Sequence, residues 1–75
     1  MHSGKTLMML RKFKNKSQDY VADQLKKSQQ YVSQIEKQED INGKLLDKLL
    51  KALNSSRNEW EKIKKMLRPA PTNET

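Results

Sequence analysis

The chain has 75 residues, 33% of them hydrophobic and 33% charged, which allows one small core and is too apolar for a disordered segment. It contains no cysteine, which excludes a disulfide staple and a thiolate zinc site and leaves stability to helix packing. The net charge of +7 favours a polyanionic partner.

In chain order, residues 4–14 read as a first helix, with Leu7, Leu10 and Phe13 as its apolar stripe. Asn15 follows, a residue that tolerates a left-handed helix end better than most. Residues 18–25 form a second helix behind Ser17, burying Val21, Ala22 and Leu25. Residues 29–38 form a third behind Ser28, with Val32 and Ile35 inside. Either serine can cap its helix by accepting an otherwise orphaned backbone N–H. A polar connection over 39–42 leads to a fourth helix at 43–53, where Leu46, Leu49, Leu50 and Leu53 follow the i, i+3, i+4, i+7 pattern. Leu45 and Ala52 widen that stripe. Ser56-Arg57-Asn58-Glu59 reads as a capping box for a fifth helix, lined by Trp60, Ile63 and Leu67 and stopped by Pro69. Residues 1–68 are thus expected to be one all-α domain, and 69–75 a disordered tail. No strand is expected.

Two short capped helices with a tight turn between them are the signature of a helix-turn-helix. The run Ser17-Gln18, Val21-Ala22, Leu25, followed by Ser28-Gln29-Gln30-Tyr31-Val32-Ser33-Gln34-Ile35-Glu36, resembles the DNA-binding domain of phage repressor and Cro-type regulators, the xenobiotic-response-element family. A weaker likeness extends from about Leu7 to Trp60. The resemblance implies a five-helix, lambda-repressor-like fold and a regulator that binds duplex DNA. Lys26 occupies the turn position that the family usually gives to glycine. A non-glycine residue there takes a left-handed conformation at a cost of roughly 1–2 kcal/mol.

At about 100° per residue, Gln29, Gln30, Ser33, Gln34 and Lys37 fall on the side of the third helix opposite Val32 and Ile35. A side-chain amide can pair with adenine N6 and N7 together, so glutamines on such a face suit the reading of base edges. The resemblance makes Gln29, Gln30 and Gln34 the base readers, with Ser33 beside them. It also has Gln18 contacting phosphate while bracing Gln29. Lys12, Lys37 and Lys44 are candidate phosphate contacts, aided by the free N–H groups at the starts of helices two and three. Tyr31 suits either a phosphate contact or packing at the helix edge. Arg11 and Glu36 resemble a pair that in the family ties helix one to the end of helix three. Trp60, Ile63 and Leu67 suit either self-association or, for the only tryptophan of a small domain, the core.

The charge is uneven. Residues 1–16 carry five bases and no acid, residues 17–42 three bases and five acids, and residues 43–75 eight bases and four acids. The expected reading helix therefore adds little charge and its neighbours supply it. No apolar run approaches the roughly 18 residues that span a bilayer, and the apolar patch near the start lacks a small-residue cleavage site after it. With His2 the lone histidine, no metal, cofactor or enzymatic chemistry is expected. These readings together describe a cytoplasmic, nucleoid-associated repressor acting as a homodimer on double-stranded DNA, with room for a protein partner such as a toxin or another regulator. The alternatives are an antitoxin or restriction-modification controller that autoregulates its operon, and a module that presents its basic first and last helices to an acidic protein.

Overall fold

The computed structural model describes residues 3–66, which are helical with no strand among them. The helices are α1 Ser3–Phe13, α2 Gln18–Leu25, α3 Gln29–Ile35, α4 Gly43–Ala52 and α5 Arg57–Met66. His2, Leu67 and the expected tail lie outside the described residues.

Local chemistry accounts for nearly every helix end. Ser17 Oγ accepts from Tyr20 N at 3.0 Å and Ser28 Oγ from Tyr31 N at 3.2 Å, so both serines cap as their sequence context implies. Asn42, expected only as part of a polar connection, caps α4 by accepting from Leu45 N at 2.8 Å. Ser56 accepts from Glu59 N at 3.3 Å, which is one arm of the anticipated capping box. The Glu59 carboxylate turns elsewhere, to the Ser55 hydroxyl at 2.7 Å and to Lys14 at 2.9 Å.

Three helices end the same way. Asn15, Lys26 and Asn54 have φ of 60°, 58° and 53°. The residue after each donates five positions back: Lys16 to Arg11 at 3.0 Å, Lys27 to Ala22 at 2.9 Å and Ser55 to Leu50 at 2.8 Å. These are Schellman endings built without glycine. The helix α3 is shorter than its sequence pattern suggests. After Ile35 the chain tightens into i→i−3 bonds, Lys37 N to Gln34 O and Gln38 N to Ile35 O, so Lys37 stands in a turn beyond the helix.

The core gathers Leu7 and Leu10 of α1, Val21 and Ala22 of α2, Val32 and Ile35 of α3, the leucines 46, 49, 50 and 53, and Trp60 and Ile63 of α5. Leu25, Leu45 and Ala52 are half-buried against it. One expectation needs correction. Phe13 is 67% exposed rather than part of the stripe of α1. A spacing of three falls short of a 3.6-residue turn and slips about 60° at each step, so by the third member the side chain has left the core. Of the two readings open for Trp60 and Ile63, the core is the one realised, since at 3% and 6% exposed they fill the interior.

The inner side of α1 is completed by residues with little apolar signal, Gly4 and Thr6. Ser3 N donates to Glu39 O and Gly4 N to Gln38 O, each at 2.9 Å, which pins the start of α1 to the turn after α3. A Cβ on Gly4 would stand 2.5 Å from the Gln38 carbonyl oxygen and 2.6 Å from the Glu36 carbonyl carbon. This position needs glycine for close approach.

Candidate nucleic-acid interface

The α2–α3 pair meets in a turn of Lys26, Lys27 and Ser28, and the packing of Val21 and Ala22 against Val32 and Ile35 sets its angle. With those two apolar residues of α3 turned inward, Gln29, Gln30 and Gln34 are exposed and Ser33 is half-buried beside them. The amide face inferred from the helical pattern is therefore present on the outside of the molecule, with Gln29 and Gln30 in its first turn.

A continuous set of hydrogen bonds leads to that face from the interior. Arg11 Nε donates to Glu36 Oε2 at 2.7 Å and a terminal guanidinium nitrogen to Oε1 at 3.4 Å. The other terminal nitrogen donates to the Lys16 carbonyl at 2.8 Å, so one planar fork holds the end of α3 and the entry to α2 together. The side chains of Arg11 and Glu36 are only 11% and 5% exposed, which removes most solvent screening from the pair. Glu36 Oε1 also accepts from Gln18 Nε2 at 2.8 Å. Gln18 Oε1 in turn accepts from Gln29 Nε2. Both pairings inferred from resemblance, Arg11 with Glu36 and Gln18 with Gln29, occur as one connected network.

The network defines the chemistry that remains available. Gln29 Nε2 carries two hydrogens and one is given to Gln18, leaving one N–H and the Oε1 lone pairs. A donor and an acceptor side by side on a fixed amide match the edge of an adenine in the major groove. Gln18 has both ends of its amide engaged, so its side chain acts as a brace.

Lys12, Lys37 and Lys44 are exposed, and among the described residues no carboxylate pairs with their ammonium groups. Lys14 and Lys16 differ from them. Lys14 is drawn to Glu59 and the Asn54 carbonyl, and Lys16 lies 4.5 Å from the centroid of the Tyr20 ring. Tyr31 is half-buried against the core with Lys27 Nζ 5.4 Å from its ring centroid, so edge packing is realised. Sequence reasoning missed the backbone donors of Ser3 and Gly4, which hold the far end of the recognition segment. No local signal marked them, because Gly4 stands at the expected start of the first helix. Among the described residues no group of three or more His, Cys, Asp or Glu side chains assembles as a metal site would require. No helix among them is long and apolar enough to cross a membrane.

Two serine-capped helices locked at a tight turn, the second presenting amides from its first turn, define a helix-turn-helix DNA-binding domain. The helix-turn-helix family model of the Cro and phage-repressor type matches residues 7–60. The chain belongs to that family and is a DNA-binding transcriptional regulator. No curated protein and no solved structure matches it significantly.

Proposed function

We propose that the chain is a sequence-specific repressor that places α3 in the major groove and reads base edges through Gln29, Gln30, Ser33 and Gln34. The observation that carries this reading is the hydrogen-bonded path Arg11–Glu36–Gln18–Gln29. A surface glutamine that serves only solubility has no need of a brace anchored on a nearly buried ion pair. Here the amide's orientation is set before DNA arrives, which lowers the ordering cost of a specific contact. Lys12, Lys37 and Lys44 then supply the phosphate contacts, and Gln18 approaches the backbone while bracing Gln29. Two copies on half-sites about one helical turn apart give an operator of ordinary length. The chain acts in this reading on the cytoplasmic nucleoid.

Selection of bound duplexes from a random pool yields the cognate site, and anisotropy titrations on that site then test the readers. Gln29→Ala and Gln30→Ala should each cost about 1–3 kcal/mol on the selected duplex and little on a scrambled one. Equal losses on both would remove α3 from the reading role. Affinity for either duplex should fall steeply with salt.

A further inference from the structure

Among the described residues, three of the four large apolar side chains left exposed, Met9, Phe13 and Met66, belong to α1 and α5, which pack on one another. Phe13 presents 67% of its surface and Met66 72%. Helical geometry puts the three on one side. Arg11 reaches α3 through Glu36, and Lys14 reaches α5 through Glu59. Phe13 lies about 100° beyond Lys14 in the direction away from Arg11, with Met9 one turn before it on the same edge. That ridge therefore borders α5. Met66 follows Glu59 by two turns and shares its face, the one turned toward α1.

The ridge has a basic margin. Lys5 stands one turn before Met9 and Lys62 one turn before Met66, and both are exposed. No acid occurs in α1. In α5, Glu59 is occupied by Lys14 and Ser55, and Glu61 lies about 140° around the helix from Met66. Apolar side chains ringed by unopposed cations match a partner with apolar anchors ringed by acids.

We propose that the α1–α5 ridge is a docking surface for an acidic amphipathic segment of a second protein, separate from the DNA-reading face. A second copy of this chain is a poor occupant. A closed two-fold contact sets the patch against itself, so that Lys5 and Lys62 face lysines. An anionic bilayer supplies the charge, but interfacial helices bind through a broad apolar face. The leucines of α1 and the tryptophan and isoleucine of α5 are already spent in the core.

Selection of short random peptides displayed on phage against the full chain tests this directly. The enriched pool should be rich in Asp and Glu with apolar residues at i, i+3 and i+4. A representative synthetic peptide should lose roughly ten-fold or more in affinity for Phe13→Ser, as truncation of an aromatic anchor does. Because Phe13 lies outside the core, that variant should keep its thermal midpoint and its DNA affinity, and Met9→Ser should act in the same direction. A pool that is absent, basic or indifferent to Phe13→Ser overturns the proposal. So does Phe13-dependent binding to phosphatidylserine vesicles without peptide binding, or conversion of dimer to monomer by Phe13→Ser in sedimentation equilibrium.

Discussion

The side-chain amide of Gln29 donates to the side-chain oxygen of Gln18, so the start of α3 is tied to the start of α2. Gln18→Ala should therefore weaken binding to the selected duplex by about 0.5–1.5 kcal/mol, the worth of an ordinary hydrogen bond. Binding to scrambled duplex should change less, because Gln29 loses its fixed orientation rather than its reach. Parallel anisotropy titrations on the two duplexes separate these losses, and an equal fall on both would show that Gln18 serves only as a phosphate contact.

Arg11→Met should be strongly destabilising, because the residue it replaces is buried. It leaves the Glu36 carboxylate, with a side chain only 5% exposed, without a cation. Removing one member of such a pair costs about 3–5 kcal/mol, a large share of the roughly 5–15 kcal/mol a domain has. Urea unfolding measures the loss. A double change, Arg11→Met with Glu36→Leu, should recover much of it, since no buried charge is then left unpaired.

Lys26→Gly should stabilise the protein. Lys26 sits at φ 58° and ψ 43°, where a Cβ costs roughly 1–2 kcal/mol and glycine costs nothing sterically. Greater freedom of glycine in the unfolded chain returns part of that gain, leaving about 0.5–1 kcal/mol. At about 4–8 °C per kcal/mol for a domain of this size, differential scanning calorimetry will resolve it. A lower midpoint would mean that the lysine side chain contributes something the turn geometry does not reveal.

Acid should loosen the junction between α1 and α5. The Ser55 hydroxyl, followed by Lys14, holds the Glu59 carboxyl below its ordinary value of 4.5. A depressed folded-state value makes the unfolded chain bind the proton more readily. The contribution is therefore complete above about pH 4.5 and lost as pH falls through the lower folded value. Glu59→Gln should flatten that part of the stability–pH curve and leave the curve above pH 5 parallel to wild type. An unchanged acid limb in the variant would assign the loss to other carboxylates.

Much of the framework was legible in the residues because short-range rules govern it. Ser17 and Ser28 cap, Asn15 and Lys26 take left-handed conformations, and Leu46, Leu49 and Leu50 point inward, each from a local pattern. The site was legible through resemblance and was then given its geometry: a motif match pairs Arg11 with Glu36, but only coordinates reveal that Gln18 joins that pair to Gln29. Long-range contacts account for what stayed hidden. Gly4 is buried because the turn after α3 lies against it, and nothing near Gly4 in sequence announces a contact over thirty residues away. Phe13 misleads for the opposite reason. Its hydrophobicity is a local fact, but its direction depends on accumulated helical phase. Glu59 likewise matches a capping box, while Lys14 from another helix competes for its carboxylate.

The clasp between α1 and the turn after α3 has a consequence for transplantation. In sequence, the stretch from Ser17 to Glu36 looks like a portable cassette, continuous and capped at both of its helix starts. In the molecule its closing end is held from outside: Glu36 takes its counter-ion from Arg11, and just beyond it the Gln38 and Glu39 carbonyls accept hydrogen bonds from the Gly4 and Ser3 N–H groups. A graft of those twenty residues onto another scaffold would carry the glutamines without the grip that aims them. The smallest unit that can be moved with this hydrogen-bonded network intact begins with α1.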